Sequence, residues 1–259
     1  MRQKRNRSRD AEKEIAAFYQ TLSREWGEQH WWPAQSRFEV IVGAYLTQNT
    51  AWTNVERALK QLRRARALSV AGIRRSSTAD LEQLVRSAGY FRQKARNLKT
   101  FVQFLDETYG GSLERMFAEP TARLREQLLS LRGVGPETAD SILLYAGNHP
   151  VFVVDTYTRR LLDRHRILPS TAKYDKVRQL FERVLGSMKT TAYPGRKPKP
   201  VGDAPRPHTP SRMSRTKRDA AAQTYNEMHG LIVQMGKRHC LKSKPSCEEC
   251  PLGKFLPKE

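Results

Sequence analysis

Leu131–Asp155 reads LRGVGPETADSILLYAGNHPVFVVD: a glycine turn, a helix-like segment, and an apolar run that ends on an aspartate. Gly133 and Gly135 permit a tight turn without a Cβ, and Pro136 suits the first turn of a helix. A helix starting there presents backbone N–H groups that no helical carbonyl takes up. Together with the helix dipole, these groups favour a phosphate. Gly147-Asn148 is a suitable helix stop, and Val151–Val154 is the one β-like run of the chain. Asp155 follows immediately, a carboxylate available for chemistry beside whatever the turn grips.

Outward from this stretch the pattern is helical. Apolar residues recur at spacings of three and four, as in Phe38, Ile41, Val42 and Tyr45, or Val55, Leu59 and Leu62. The spacing predicts helices near 10–27, 36–47, 51–66, 78–87, 91–109, 121–130, 136–147, 156–165, 173–186 and 219–237, which makes the chain all-α. Ser77 with Asp80 forms a capping pair at one of these starts. The segment 188–218 breaks the pattern. Six prolines and nine Lys or Arg residues accompany one acid, Asp203, so it reads as a disordered basic insert, either a solvated linker or a source of non-specific attraction to a duplex.

The 259 residues suffice for a core without disulfides, as one large domain or two smaller ones. An excess of 47 Lys and Arg over 26 Asp and Glu leaves a formal charge of +21, which points to a polyanion, nucleic acid first. Met1–Arg9 carries five basic residues with no apolar segment after it, and no run of about 18 apolar residues occurs anywhere. The expectation is therefore a cytoplasmic, nucleoid-associated protein of bacterial type, with no membrane partner. Cys240, Cys247 and Cys250 cluster near the end of the chain, as metal or cluster ligands in a reducing compartment do, and unlike a disulfide framework.

Taken together, L-R-G-V-G at 131–135 and V-D-T at 154–156 resemble the helix-hairpin-helix (HhH-GPD) DNA glycosylase superfamily. Tyr45-Leu46-Thr47-Gln48-Asn49-Thr50 resembles the endonuclease III segment whose glutamine enters the duplex, and Gly89–Ala95 resembles that family's G-x-x-x-x-K-A stretch. The resemblance covers roughly residues 30–250 apart from the insert. It implies two helical lobes: a central six-helix domain over 41–154, and a second lobe from 10–40 plus 155–259. Double-stranded DNA would lie in the cleft between them, bound by a monomer. It also implies that Asp155 is the catalytic carboxylate, which would stabilise an oxocarbenium-like sugar and orient water. Gln48 would fill the gap left by a flipped nucleotide, and the backbone of Gly133, Val134 and Gly135 would hold a phosphate.

The bifunctional endonuclease III pattern places a lysine two residues after the second hairpin glycine; here that residue is Glu137. A carboxylate cannot form the imine of a lyase, so the resemblance implies a monofunctional enzyme that uses water. Trp31-Trp32-Pro33 with L-T-Q-N-T and Trp52 looks like the 3-methyladenine DNA glycosylase III branch. Indole rings suit a flipped, cationic alkylated purine, although each tryptophan also fits a plain core role. The alternatives are an endonuclease III-like glycosylase and AP lyase for oxidised pyrimidines, or a catalytically silent DNA-binding module. Finally, Cys240-x6-Cys247-x2-Cys250 resembles three quarters of the endonuclease III iron–sulfur loop, 240–256, with Leu256 at the fourth place. Three readings stay open: a [4Fe-4S] cluster with another fourth ligand, a zinc ion helped by His239, or a loop without metal.

Overall fold

The computed structural model describes residues 2–186, 188 and 210–257, and all regular structure among them is helical, with no strand. The chain divides into two compact units, Met1–Pro33 with Pro150–Glu259, and Ala34–His149. The expected boundaries at 41 and 154 thus move to 34 and 149. No helix among the described residues is long and apolar enough to cross a membrane.

The discontinuous unit begins with α1 (Arg2–Trp26). The continuous unit holds α2 (Arg37–Thr47), α3 (Trp52–Arg64), α4 (Val70–Arg75), α5 (Thr78–Leu84), α6 (Phe91–Tyr109), α7 (Leu113–Phe117), α8 (Thr121–Ser130) and α9 (Pro136–Ser141). The last of these runs on as a π-helical turn, Ile142–Ala146. The discontinuous unit is completed by α10 (Thr156–Arg164), α11 (Tyr174–Gly186) and α12 (Ala220–Arg238).

Local chemistry sets the helix starts. Ser36 accepts from the Glu39 N–H to open α2, and Ser77 accepts from the Asp80 N–H to open α5. Helix α1 begins at Arg2, earlier than the expected position near 10. Helices α4 and α7 were not expected, because each spans under two turns and shows no periodicity. Their starts are nevertheless capped, by Ser69 on the Gly72 N–H and by Ser112 on the Arg115 N–H. In the continuous unit α2 lies at the centre, its Ile41, Tyr45 and Leu46 fully buried along with Phe101, Leu143 and Leu144.

In the discontinuous unit α1 and α12 enclose Phe18, Leu22, Leu231 and Ile232. The β-like run Val151–Val154 is buried but pairs with no strand. Its backbone is satisfied by side chains instead: the Phe152 N–H donates to Glu182 Oε1 at 3.0 Å and the Val154 N–H to the Tyr174 hydroxyl at 3.2 Å. Phe152 stacks on Phe181 of α11 with ring centroids 4.3 Å apart. These ties to α11 place the run in this unit and explain why the boundary precedes it.

Of the segment 188–218, residues 189–209 lie outside the described residues. Residues 210–218 correct the expectation of a single disordered insert. They turn back onto the protein with Ser211 and Met213 buried, and the Ser211 hydroxyl donates to the Trp32 carbonyl at 3.2 Å. Met213 is the apolar side chain that anchors this return.

Candidate active site

Asp155 is the N-cap of α10, and its burial is nearly complete. One carboxylate oxygen, Oδ1, accepts twice from Thr158: from its N–H at 2.7 Å and from its hydroxyl at 2.9 Å. The other, Oδ2, faces the imidazole of His229 on α12, with Nε2 at 3.5 Å. Burial alone would push this carboxyl upward. The imidazole beside Oδ2, together with both Thr158 donors, outweighs it and holds Asp155 below the usual carboxylate range. Tyr157 stands beside it, its phenol raised by burial and by the Asp155 charge.

The aromatic residues of this unit gather near the same helix. Trp31 and Trp32 meet edge to face at 5.3 Å between centroids, across a cis peptide bond. Trp32 is buried, while Trp31 and Pro33 are only partly covered. Trp31 lies 6.2 Å from the His229 ring and presses on Gly230, where an added Cβ would come within 3.1 Å of the Trp31 Cβ. Trp31 and Asp155 therefore both border His229 of α12. Trp52 belongs to the continuous unit, half-buried at the start of α3.

The glycine hairpin lies wholly in the continuous unit. Gly133 has φ +80, and an added Cβ would sit 2.1 Å from the Asn97 amide nitrogen, so both conformation and space demand glycine. Val134 is buried, its N–H closing the turn onto the Leu131 carbonyl at 3.1 Å. At Gly135 an added Cβ would meet nothing within 4 Å, which leaves the helix start open to an approaching group. Glu137 is exposed in the first turn of α9, where a negative charge suits the helix dipole. Gln48 is brought to this hairpin rather than held free. Its amide donates to the Gly133 carbonyl at 2.9 Å and to the Thr138 hydroxyl at 2.8 Å.

Several supporting residues escaped the sequence reading. Lys94, inside the quoted K-A stretch but given no role there, donates all three ammonium protons, to the carbonyls of Leu46, Gln48 and Ala88 at 2.9, 2.8 and 2.7 Å. It fastens the end of α2 and the backbone of Gln48, and burial pushes its ammonium down to about 8. Arg125 of α8 forks onto the fully buried Asp140 of α9, with Nε 2.7 Å from Oδ1, and so locks the two helices of the hairpin. Thr158 had a local signal, as the third residue after a capping aspartate. His229 had none, since it is distant in sequence and meets Asp155 only in the fold.

Cys240, Cys247 and Cys250 line a small cavity of about 20 Å³ with His239, Arg164 and Leu256. Arg164 Nη1 lies 3.0 Å from Cys240 Sγ, and burial, with the charges of Cys240 and Cys247, pushes the Cys250 thiol up. Leu256 lies on the cavity wall at the fourth ligand place and offers no donor atom. Among the described residues no group of three or more His, Cys, Asp or Glu side chains is arranged to hold a metal ion. A four-thiolate [4Fe-4S] donor set therefore does not fit these residues.

Residues 42–186 match the HhH-GPD superfamily base excision DNA repair protein family. Over 242 residues the chain is 38% identical to a Methanocaldococcus jannaschii protein provisionally named a DNA repair glycosylase, an alignment covering 93% of this chain and 94% of the relative. Against Thermotoga maritima endonuclease III the identity is 27%, covering 82% and 79% of the two chains. Among solved structures, H. pylori 3-methyladenine DNA glycosylase bound to 1,N6-ethenoadenine superposes with a TM-score of 0.66 at 26% identity, covering 88% of this chain and 97% of that one. A trapped endonuclease III–DNA covalent intermediate gives 0.70 at 20% identity over 95% of each, a likeness of fold.

Proposed function

The chain belongs to the HhH-GPD superfamily of base excision DNA repair proteins, and within it we propose a monofunctional DNA glycosylase that removes alkylated purines of the 3-methyladenine kind from duplex DNA. Asp155 is the catalytic carboxylate of this reading. The observation that carries it is the buried position of Asp155 at the start of α10, with one oxygen taken by both Thr158 donors and the other facing His229.

Scission of an N-glycosidic bond builds positive charge on the sugar, and a fixed carboxylate in a dry site stabilises that charge strongly. Water attacks the anomeric carbon, its proton passes to the carboxylate, and the base departs with the electron pair of the broken bond. An alkylated purine is cationic before it leaves, so it departs neutral and needs no strong general acid. Trp31 is the partly covered indole for stacking on such a base, and Trp52 and Pro33 are its further candidates. On the hairpin, Gly133, Val134 and Gly135 position a phosphate. Gln48 exchanges its two hairpin bonds for the space opened by the flipped nucleotide.

Monofunctional chemistry is supported by the exposed carboxylate of Glu137 where a lyase would carry its amine. No step runs through a metal cluster. The deciding experiment measures release of 3-methyladenine from alkylated duplex DNA. Wild type releases the base, Asp155→Asn does not, and both bind duplex alike. Borohydride trapping on thymine-glycol DNA yields no covalent adduct. Trapping would favour the endonuclease III-like reading instead. If no base is released by either protein, the chain is a DNA-binding module.

A further inference from the structure

Resting on Asp155 as the carboxylate that faces the sugar, we infer that His229 is its positioning residue, an imidazole that holds Oδ2 on the side Thr158 leaves free. Thr158 directs two donors to Oδ1 and none to Oδ2. Rotation about the Cβ–Cγ bond moves both oxygens together, so the Thr158 bonds already restrain Oδ1, and the imidazole Nε2, 3.5 Å from Oδ2, adds a restraint at the oxygen that Thr158 does not reach. An imidazole protonated at Nε2 donates toward Oδ2 whether neutral or charged.

The ring itself is immobilised. His229 is 4% exposed and packs edge-on to Phe152 at 6.3 Å and tilted to Trp31 at 6.2 Å. Phe152 is stacked on Phe181 and belongs to the run that delivers Asp155, so the imidazole and the carboxylate share one rigid support. Trp31, the candidate base-stacking ring, touches the same imidazole and Gly230 beside it. His229 thus fixes the spacing between the carboxylate and the aromatic wall, which a flipped nucleotide must span. The titratable groups set against Asp155 are His229 from α12 and Tyr157 from α10.

The test compares His229→Leu, which keeps bulk without a donor, with His229→Gln, whose amide nitrogen replaces Nε2. Single-turnover release from dimethyl sulfate-treated duplex is followed across pH, beside duplex Kd and thermal melting. His229→Leu is expected to bind duplex within about threefold of wild type and to lose roughly tenfold or more in rate, the scale of one lost charge-assisted contact. Its acid limb moves to higher pH, because the buried carboxyl has lost the partner that keeps it ionised. His229→Gln recovers much of the rate and shifts the limb back. An unchanged rate or limb in His229→Leu overturns the inference. So do equal losses of rate, binding and melting in both variants, or loss of fold in both, since these mark a packing role. If Asp155→Asn still releases base, the underlying reading fails. If Asp155→Asn is inactive while both His229 variants match wild type, only the inference fails.

Discussion

Among single residues, the buried carboxyl of Glu227 on α12 makes the stability of the fold depend on pH. Its Oε2 accepts from the Gln29 N–H at 3.1 Å and its Oε1 from the Gln223 amide at 3.0 Å. Burial dominates these contacts and pushes the carboxyl up to about 7 from 4.5. A raised folded-state value means that the folded protein binds the proton more tightly than the unfolded chain does. The stabilisation is complete below about 4.5 and is lost as pH rises through about 7. Glu227→Gln removes this titration. Denaturant unfolding of both proteins from pH ~5 to pH ~8 should show the variant gaining on wild type by roughly 1–3 kcal/mol as pH rises. Parallel stability curves would show that the carboxyl does not titrate in this range.

At the scale of elements, the hairpin between α8 and α9 depends on Arg125 and Asp140. Arg125→Ala leaves a fully buried carboxylate without its guanidinium, which costs about 3–5 kcal/mol, whereas Arg125→Met with Asp140→Leu recovers most of that stability. Chemical denaturation of the two proteins measures the difference, and a single variant within about 1 kcal/mol of wild type would show the pair to be dispensable. The sequence already contained what this element needs locally: the two glycines, Pro136 and the apolar spacing of the helices that flank the turn. Absent from it was any sign of what the turn rests on, because Asn97 under Gly133, and Lys94 under the end of α2, come from another helix. The same division holds at the candidate site. Asp155 and its cap on α10 are local and legible, whereas His229, and Ser211 on the Trp32 carbonyl, join across long separations in sequence that no periodicity encodes. Val151–Val154 read as a strand for a related reason. Its apolar composition reports burial, but whether a buried extended run pairs with a strand or with side chains such as Glu182 and Tyr174 is settled by its neighbours.

At the scale of the whole molecule, the charge of +21 is too large to be carried by one motif, and its excess is spread over the helices and the segment 189–209. The family places this charge opposite a polyanion whose phosphates carry condensed counterions, so affinity must fall steeply with salt. How the burden is divided can be measured. Arg196, Lys197, Lys199 and Arg206 stand in a stretch with few apolar residues, and replacing all four by Gln removes four positive charges and no apolar side chain. Each phosphate contact contributes about 0.9 to the slope of log affinity against log salt, so the quadruple variant should flatten that slope by up to about 3.6 units. Release of base at low salt and saturating protein should be unchanged, because the carboxylate and the hairpin lie elsewhere in the chain. A slope equal to that of wild type would show that these four cations contact no phosphate, leaving the attraction to the helical units. A flattened slope with slower release at saturation would instead tie the segment to the reacting complex, a role beyond simple attraction.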